Sequence, residues 1–439
     1  MFETIVALAT PPLKSALAIV RLSGDNCFFV VNNFFSKDLT KYTKNTIIHG
    51  QIIDNNELVD DVVLLLYKEP NSFTGENSVE IISHGSPLIF NKIIELSLKY
   101  GARMATRGEY TSRAFMHNKL DLIQAESIND LINAESEESK KLSLMSLTGK
   151  TSSLIEPLKK DFIDLLSNIE VNIDYPEYKD IEEVNNIKIE KTVDKSINYI
   201  SKLISDGKKA NIIKDGINVA IVGKPNVGKS SILNALIGED KAIVTNIKGT
   251  TRDIVEGKFI YKGIVINLFD TAGIRESDDI IESIGINKSI KKMEEADLIL
   301  MVYDSSNVDK EDEEISSLLI NKKIIKVYNK SDLIDEKDSD FLYISALNGD
   351  INILKDAIIS KLNLDQSNYT TPSINNAREL GILENIKEQL LEIKSDINLP
   401  IDLLASRLKE VLNLILSITG EDYDFDMISE IFSRFCVGK

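Results

Sequence analysis

Tryptophan is absent from this chain of 439 residues, which also has only 2 cysteines, 3 histidines and 9 prolines. Cys27 and Cys436 stand near opposite ends, which excludes a disulfide framework and a Cys-rich zinc site. His49, His84 and His117 are too few and too scattered in sequence for a histidine metal cluster. Basic charge is also short: 51 Lys and Arg stand against 69 Asp and Glu, for a formal net charge of -18. Polyanion binding relies on Lys and Arg neutralising phosphates. A broadly basic nucleic-acid-binding body is therefore excluded, and any RNA contact must be local or shared with a partner. No apolar run approaches the ~18–20 residues of a membrane span. The N-terminus carries Glu3 and no basic segment, unlike a secretory leader, so a cytoplasmic protein is the expectation.

What is present is ordinary globular material. Hydrophobic residues make up 43% and charged ones 27%, too apolar a mixture for a disordered chain. Residues 1–117 mix short β-rich runs (15–24, 59–67, 78–85) with turns at Gly24, Gly75, Gly85 and Pro87, which predicts a small α+β domain. Residues 118–213 change to helical spacing, with Leu154, Leu158, Phe162, Leu165 and Ile169 on one face and a break at Asp174-Tyr175-Pro176. Residues 369–439 return to that spacing with Leu404, Leu408, Leu412, Ile415 and Thr419. Between them, residues 214–368 alternate apolar runs (219–223, 265–270, 298–304, 324–330, 341–346) with longer mixed segments, as a doubly wound sheet requires. The expected fold class is α/β and α+β multidomain: an N-terminal α+β domain, and a discontinuous all-α domain into which an α/β domain is inserted. Insertion is easy because domain termini often lie close together.

The inserted region carries the chemistry. Gly223-Lys224-Pro225-Asn226-Val227-Gly228-Lys229-Ser230 fits G-x-x-x-x-G-K-[ST] directly after a strand and before the helical run that begins with Ser231. Such a loop wraps an anion in backbone N–H groups. Lys229 would reach the β- and γ-phosphates, and Ser230 would bind Mg²⁺. Asp270, Thr271, Ala272 and Gly273 end the next strand. A carboxylate there can hold Mg²⁺ through water, and Gly273 can offer its N–H to the γ-phosphate. Asn329, Lys330 and Asp332 follow another strand, with Ser345 and Ala346 beyond them. Asp332 can accept from both N1–H and N2–H₂ of guanine. Adenine has neither donor there, and the carboxylate it left unpaired would cost about 1–3 kcal/mol. The nucleotide is therefore expected to be guanine.

In order and spacing these signals resemble translation-factor-class P-loop GTPases. Their switch segment would run through Gly249, Thr250 and Thr251, with Thr251 completing the Mg²⁺ shell. Ras-like GTPases orient water with a Gln after D-x-x-G, but Ile274 stands there and cannot. Asn226 can instead offer a side-chain oxygen, and the segment Thr245, Asn246, Ile247, Lys248, Gly249, Thr250 could arch over the nucleotide. A hard monovalent cation takes such oxygen ligands and would supply the electrostatics of an arginine finger.

Across its whole length the chain resembles the MnmE (TrmE) family of bacterial tRNA-modification GTPases. The resemblance is carried by ATPP (9–12), IVRLSG (19–24), PNSFTGE (70–76), VEIISHG (79–85), GEYTSRAF (108–115), NKLDLIQAES (118–127), IKGTTRD (247–253), DTAGIRES (270–277), ESIGI (282–286) and FCVGK (435–439). It implies that the cation is K⁺, held by Asn226, Thr245, Ile247 and Thr250. It also implies that Glu282 orients the attacking water, and that the G domains pair across the nucleotide. It makes the N-terminal domain a folate-binding and dimerisation domain, with 5-formyltetrahydrofolate or a related tetrahydrofolate held by Arg21, Glu80, Lys119 and Lys439. Cys436, in a tail the family keeps near that pocket, becomes a candidate functional thiol. Implied partners are a second copy of the chain, a flavoprotein (MnmG in this family) in a hetero-oligomer, and tRNA. The implied activity is carboxymethylaminomethyl or aminomethyl installation at C5 of the wobble uridine, coupled to GTP hydrolysis. Two segments depart from the family pattern: Leu13-Lys14-Ser15-Ala16 replaces a Gly-rich stretch, and Ser86 replaces a Gly. A ribosome-assembly GTPase would explain the nucleotide motifs but neither the N-terminal domain nor the FCVGK tail.

Overall fold

Alternating inward apolar and outward polar residues organise the first strands in the computed structural model. It describes residues 3–174, 185–238, 257–270, 296–309, 312, 322–334, 338, 341–349, 351–363, 369–422 and 425–438. Strands β1 (Ile5–Leu8), β2 (Leu17–Ser23), β3 (Thr46–Asp54), β4 (Glu57–Tyr67), β5 (Ser78–His84) and β6 (Arg103–Met104) form one sheet in the order β3-β4-β5-β2-β1-β6. β6 runs parallel to β1, and the other neighbours are antiparallel. Asn55 and Asn56, at φ 47° and 69°, make the two-residue turn between β3 and β4, a conformation Asn tolerates well. Val20, Leu22, Leu64 and Ile81 face inward and bury Phe90, Ile93 and Leu96 of α2 (Pro87–Lys99), while α1 (Cys27–Asn32) adds Phe28, Val30 and Val31. Helix α3 (Glu109–Met116) follows β6.

The helical stretch contains α4 (Leu122–Asn133), α5 (Glu137–Leu147), α6 (Glu156–Asp174) and α7 (Asn186–Asp215). Of the stripe expected on one face, Leu158, Phe162, Leu165 and Ile169 are buried along α6, while Leu154 lies before it in a short 3-10 turn.

Strand β7 (Ile217–Val222) leads into α8 (Lys229–Gly238). Next come β8 (Gly257–Tyr261), β9 (Ile264–Asp270), β10 (Leu298–Asp304), β11 (Ile324–Asn329), β12 (Leu342–Tyr343) and α9 (Ile351–Leu362). Their sheet order is β12-β11-β10-β7-β9-β8, parallel except for β8 against β9. β7 and β10 are almost wholly buried, which explains why they read as continuous apolar runs rather than alternating ones. The chain lays β8 and β9 on one side of β7 and β10 to β12 on the other. The carboxyl end of β7 therefore opens at the switch point where ligands of such sheets bind.

Helices α10 (Ala377–Ser395), α11 (Ile401–Thr419) and α12 (Phe425–Ser433) complete the chain. Two compact units result: Met1–Asn129, Ser146–Asn185 and Asn398–Lys439 form one, and Asp130–Met145 with Asn186–Ile397 the other. In the first, α6 packs along α11; in the second, α7 packs along α10. Gly207 lets α7 approach closely, because a Cβ there would lie 2.0 Å from the Ile374 carbonyl oxygen. The expected fold class holds.

Candidate functional site

The loop between β7 and α8 is built around a left-handed residue and a tight glycine. Asn226 has φ 64°, and Gly228 has φ 99°. A Cβ on Gly228 would lie 2.1 Å from Asn329 Nδ2, so only glycine lets the two loops meet. Lys229 begins α8 and turns back on the loop, its Nζ donating to the Gly223 and Lys224 carbonyls at 2.8 Å each. Ser230 and Ser231 are exposed in the first helical turn. The first turn of a helix carries the positive end of its dipole, so the geometry suits a phosphate chain.

Asn329 ends β11 and joins this loop to the next. Its Nδ2 donates to the Val227 carbonyl at 2.9 Å, and its Oδ1 accepts from the Ala346 N–H at 3.2 Å. Lys330 adopts φ 62° and pairs with Asp304 at 2.6 Å. Partial burial works against ionising Asp304, yet Lys330 and Ser306 hold its carboxyl below the ordinary range. Ser345 Oγ donates to Asp332 Oδ1 at 2.6 Å, which orients an exposed carboxylate beside the Ala346 loop. The structure thus joins Val227, Gly228, Asn329 and Ala346 by direct contact, and Asp332 to Ser345. Asp304 was absent from the sequence reading, although a carboxylate closing the buried run of β10 was the signal for it.

Of the remaining nucleotide and cation residues, Thr245, Asn246, Ile247, Lys248, Gly249, Thr250, Thr251, Thr271, Ala272, Gly273 and Glu282 lie outside the described residues, as does the side chain of Asp270. Asp270 itself ends β9, next to Ile221 of β7.

A second cluster lies on the N-terminal sheet. Arg21 and Glu80 are directly opposed on β2 and β5. The Arg21 Nε donates to Glu80 Oε1 at 2.8 Å, and an Nη reaches the same oxygen at 2.6 Å. Arg21 also donates from Nη1 to the Gly438 carbonyl at 3.2 Å and lies over the rings of Tyr110 and Phe73. Tyr110 Oη fixes the strand beneath by donating to the Arg21 carbonyl at 2.7 Å. Lys119 Nζ donates to the Pro70 carbonyl at 2.8 Å, in the same loop that carries Phe73. That loop is anchored from below by a buried network: Arg113 pairs with Glu76 at 3.1 Å, and Glu76 accepts from Ser23 at 2.7 Å.

The C-terminal tail closes this cluster. Val437 bridges Arg107, and the Gly108 N–H donates to the Cys436 carbonyl at 3.3 Å. Phe435 anchors the tail by packing with Phe432, which in turn lies against Phe115. Cys436 is exposed, and Lys439 lies outside the described residues. Sequence reasoning missed Phe73, Tyr110 and the Gly438 carbonyl, although all three lie inside or beside the quoted motifs.

A phosphate loop at the switch point of a doubly wound sheet, joined to a guanine-type Asn-Lys-x-Asp loop, defines a P-loop GTPase. Residues 4–119 match the family profile "GTP-binding protein TrmE N-terminus", and residues 122–436 match "MnmE helical domain". The tRNA modification GTPase MnmE of Mesoplasma florum is 41% identical over 449 residues, covering 100% of this chain and 99% of that protein. That of Streptococcus thermophilus is 38% identical over 451 residues, with the same coverage. The chain belongs to the MnmE family and is a GTPase of tRNA modification. Among solved structures, the FeoB G-domain of Methanococcus jannaschii is similar at 28% identity, covering 34% of this chain and 98% of that one with a TM-score of 0.26. No described helix is long and apolar enough to cross a membrane.

Proposed function

We propose that this chain is a cytoplasmic, K⁺-dependent GTPase that works as a homodimer with a flavoprotein partner of the MnmG kind. Together they install an aminomethyl-type group at C5 of the wobble uridine of certain tRNAs, with a tetrahydrofolate as one-carbon donor. The observation that carries this reading is the Arg21–Glu80 pair under the Gly438 carbonyl of the docked tail. A ribosome-assembly GTPase has no use for it. A pterin offers N–H donors suited to the Glu80 carboxylate, and a folate glutamate tail suits Arg21 or Lys119. Both members of the pair are part-exposed, at 24% and 17%, so the charges are within reach of a ligand.

The nucleotide residues fit the rest. Lys229 and the first turn of α8 would bind the phosphates, Asp332 the guanine, and the hydroxyl of Ser230 would join Thr251 at Mg²⁺. Asn226, exposed on its left-handed loop, supplies a side-chain oxygen for K⁺ alongside Thr245, Ile247 and Thr250. When bound, the two cations neutralise developing phosphate charge and the folate supplies the carbon. Glu282 would orient the attacking water. Cycling between GTP and GDP would open and close the paired G domains.

Nucleoside analysis of tRNA from cells lacking the gene tests the proposal. Loss of the C5 substituent on wobble uridines is expected, restored by the parent gene but not by an Arg21→Ala, Glu80→Ala double variant. Unchanged wobble uridines in the deletion strain would end it.

A further inference from the structure

Lys224 stands inside the phosphate loop, two residues past β7, and is only 9% exposed. Its Nζ lies 2.8 Å from Asp309 Oδ1 and 2.8 Å from Asp312 Oδ2. Both carboxylates come from the segment beyond β10, where the Asp309 N–H also donates to Asp312 Oδ2 at 3.2 Å. Asp312 is fully buried, and its Oδ1 has no hydrogen-bond partner among the described residues. A buried carboxylate in that state depends on the ammonium beside it. The dependence is mutual: burial opposes the charge on Lys224, but the two carboxylates hold its ammonium above the ordinary lysine range.

The backbone of the same residue has a different task. The Lys224 and Gly223 carbonyls are the two acceptors of Lys229 Nζ, at 2.8 Å each. Lys224 is thus pinned through its side chain to the segment after β10, while its carbonyl aims the lysine that reaches for phosphate. We propose that Lys224 is a positioning residue for GTP, and that its ion pairs with Asp309 and Asp312 fix the carbonyls that orient Lys229. The motif G-x-x-x-x-G-K-[ST] leaves this position unspecified. Here it couples the phosphate loop to a neighbouring strand's loop, so displacement of either carboxylate would be felt at the β-phosphate. The proposal rests on Lys229 being the phosphate-binding lysine.

The test uses the full chain, a fluorescent-GDP titration and the ³¹P resonance of the β-phosphate of bound GDP. Lys224→Met is expected to weaken GDP by about ten-fold or more and to move that resonance, since small misplacements of a positioning group are costly. Lys224→Arg keeps the charge and should restore both. If Lys224→Met leaves a buried carboxylate uncompensated and does not fold, the triple variant Lys224→Met, Asp309→Asn, Asp312→Asn removes that burden. It should show the same loss of affinity, because the tether is gone. Either variant, folded and with the parent's GDP affinity and resonance, would overturn the proposal. Lys229→Met separates the two readings: parent-like GDP binding there would remove the phosphate lysine itself, and the proposal with it.

Discussion

Asp332 shows how much of nucleotide choice one side chain can carry. Its carboxylate accepts from Ser345 Oγ at 2.6 Å, which helps fix its direction, and a carboxylate is an acceptor-only group that matches the two base N–H donors of guanine. Asp332→Asn replaces an acceptor by an NH₂ donor, which opposes the guanine amino group and suits the 2-oxo group of xanthine. GTP affinity should fall by about a hundred-fold or more, with xanthosine triphosphate gaining, on the scale of a site that loses a matched polar contact. Competition between the two nucleotides measures this, and an unchanged preference for GTP would remove Asp332 from the base site. Glu109 makes a different residue-scale case. Burial raises the pKa of its carboxyl, but Arg103 at 2.6 Å, the Thr106 N–H at 2.9 Å and Arg113 at 2.8 Å prevail and bring it from 4.5 down to about 2. A depressed pKa stabilises the fold fully above 4.5, and that contribution is lost as pH falls through about 2. Glu109→Gln should therefore be less stable than the parent at neutral pH, and the gap should narrow as pH falls across that window. Denaturation at a series of pH values checks it; a gap of constant size would mean that the charge on Glu109 does not matter.

At the scale of elements, the docking of α12 and its tail depends on a glycine. Gly108 has φ 67°, and a Cβ there would lie 2.4 Å from the Phe432 carbonyl oxygen. Gly108→Ala must therefore displace the end of α12, and with it the Gly438 carbonyl that accepts from Arg21. Binding of 5-formyltetrahydrofolate should weaken about ten-fold or more, while GDP affinity stays within about two-fold. Equal losses of both ligands would mean general unfolding instead. This tail also shows where the sequence stops being legible. The parallel strands of the G-type sheet stood out because β7 and β10 are buried on both faces and must be apolar throughout. β2, most of β4 and β5 stood out as short β-rich runs between turn residues. β3 did not, although the Asn55-Asn56 turn after it is a hairpin signal. The run at 341–346 promised a longer strand than Leu342–Tyr343. The phosphate and guanine loops were legible because their chemistry is local. Arg21 with Gly438, Glu76 with Arg113 and Lys224 with Asp312 were not. Each pair is distant in sequence, and nothing in spacing alone announces which buried charges will meet.

For the whole molecule the dominant fact is acidity, with a formal net charge of -18. Such a body repels tRNA at long range, so the proposed flavoprotein partner would supply much of the basic surface that phosphate binding requires. The same charge makes any cation effect on GTP turnover ambiguous at first sight, because an acidic protein gathers monovalent cations without selecting among them. Screening depends on ionic strength and not on which alkali metal provides it. K⁺ and Na⁺ at equal concentration must therefore act alike wherever the effect is only screening. An oxygen cage discriminates by the size and hydration of the ion it holds, and Asn226 with Thr245, Ile247 and Thr250 is proposed to be one. Multiple-turnover GTPase rates at fixed ionic strength should then fall by about ten-fold or more when Na⁺ replaces K⁺, the scale on which one electrostatic group at the phosphates contributes. Asn226→Gly, which removes the side-chain oxygen and tolerates the φ of 64° there, should lower the K⁺ rate to the Na⁺ level and leave the Na⁺ rate where it was. Equal rates in the two salts would mean that the acidic surface, and no fitted site, accounts for the cation.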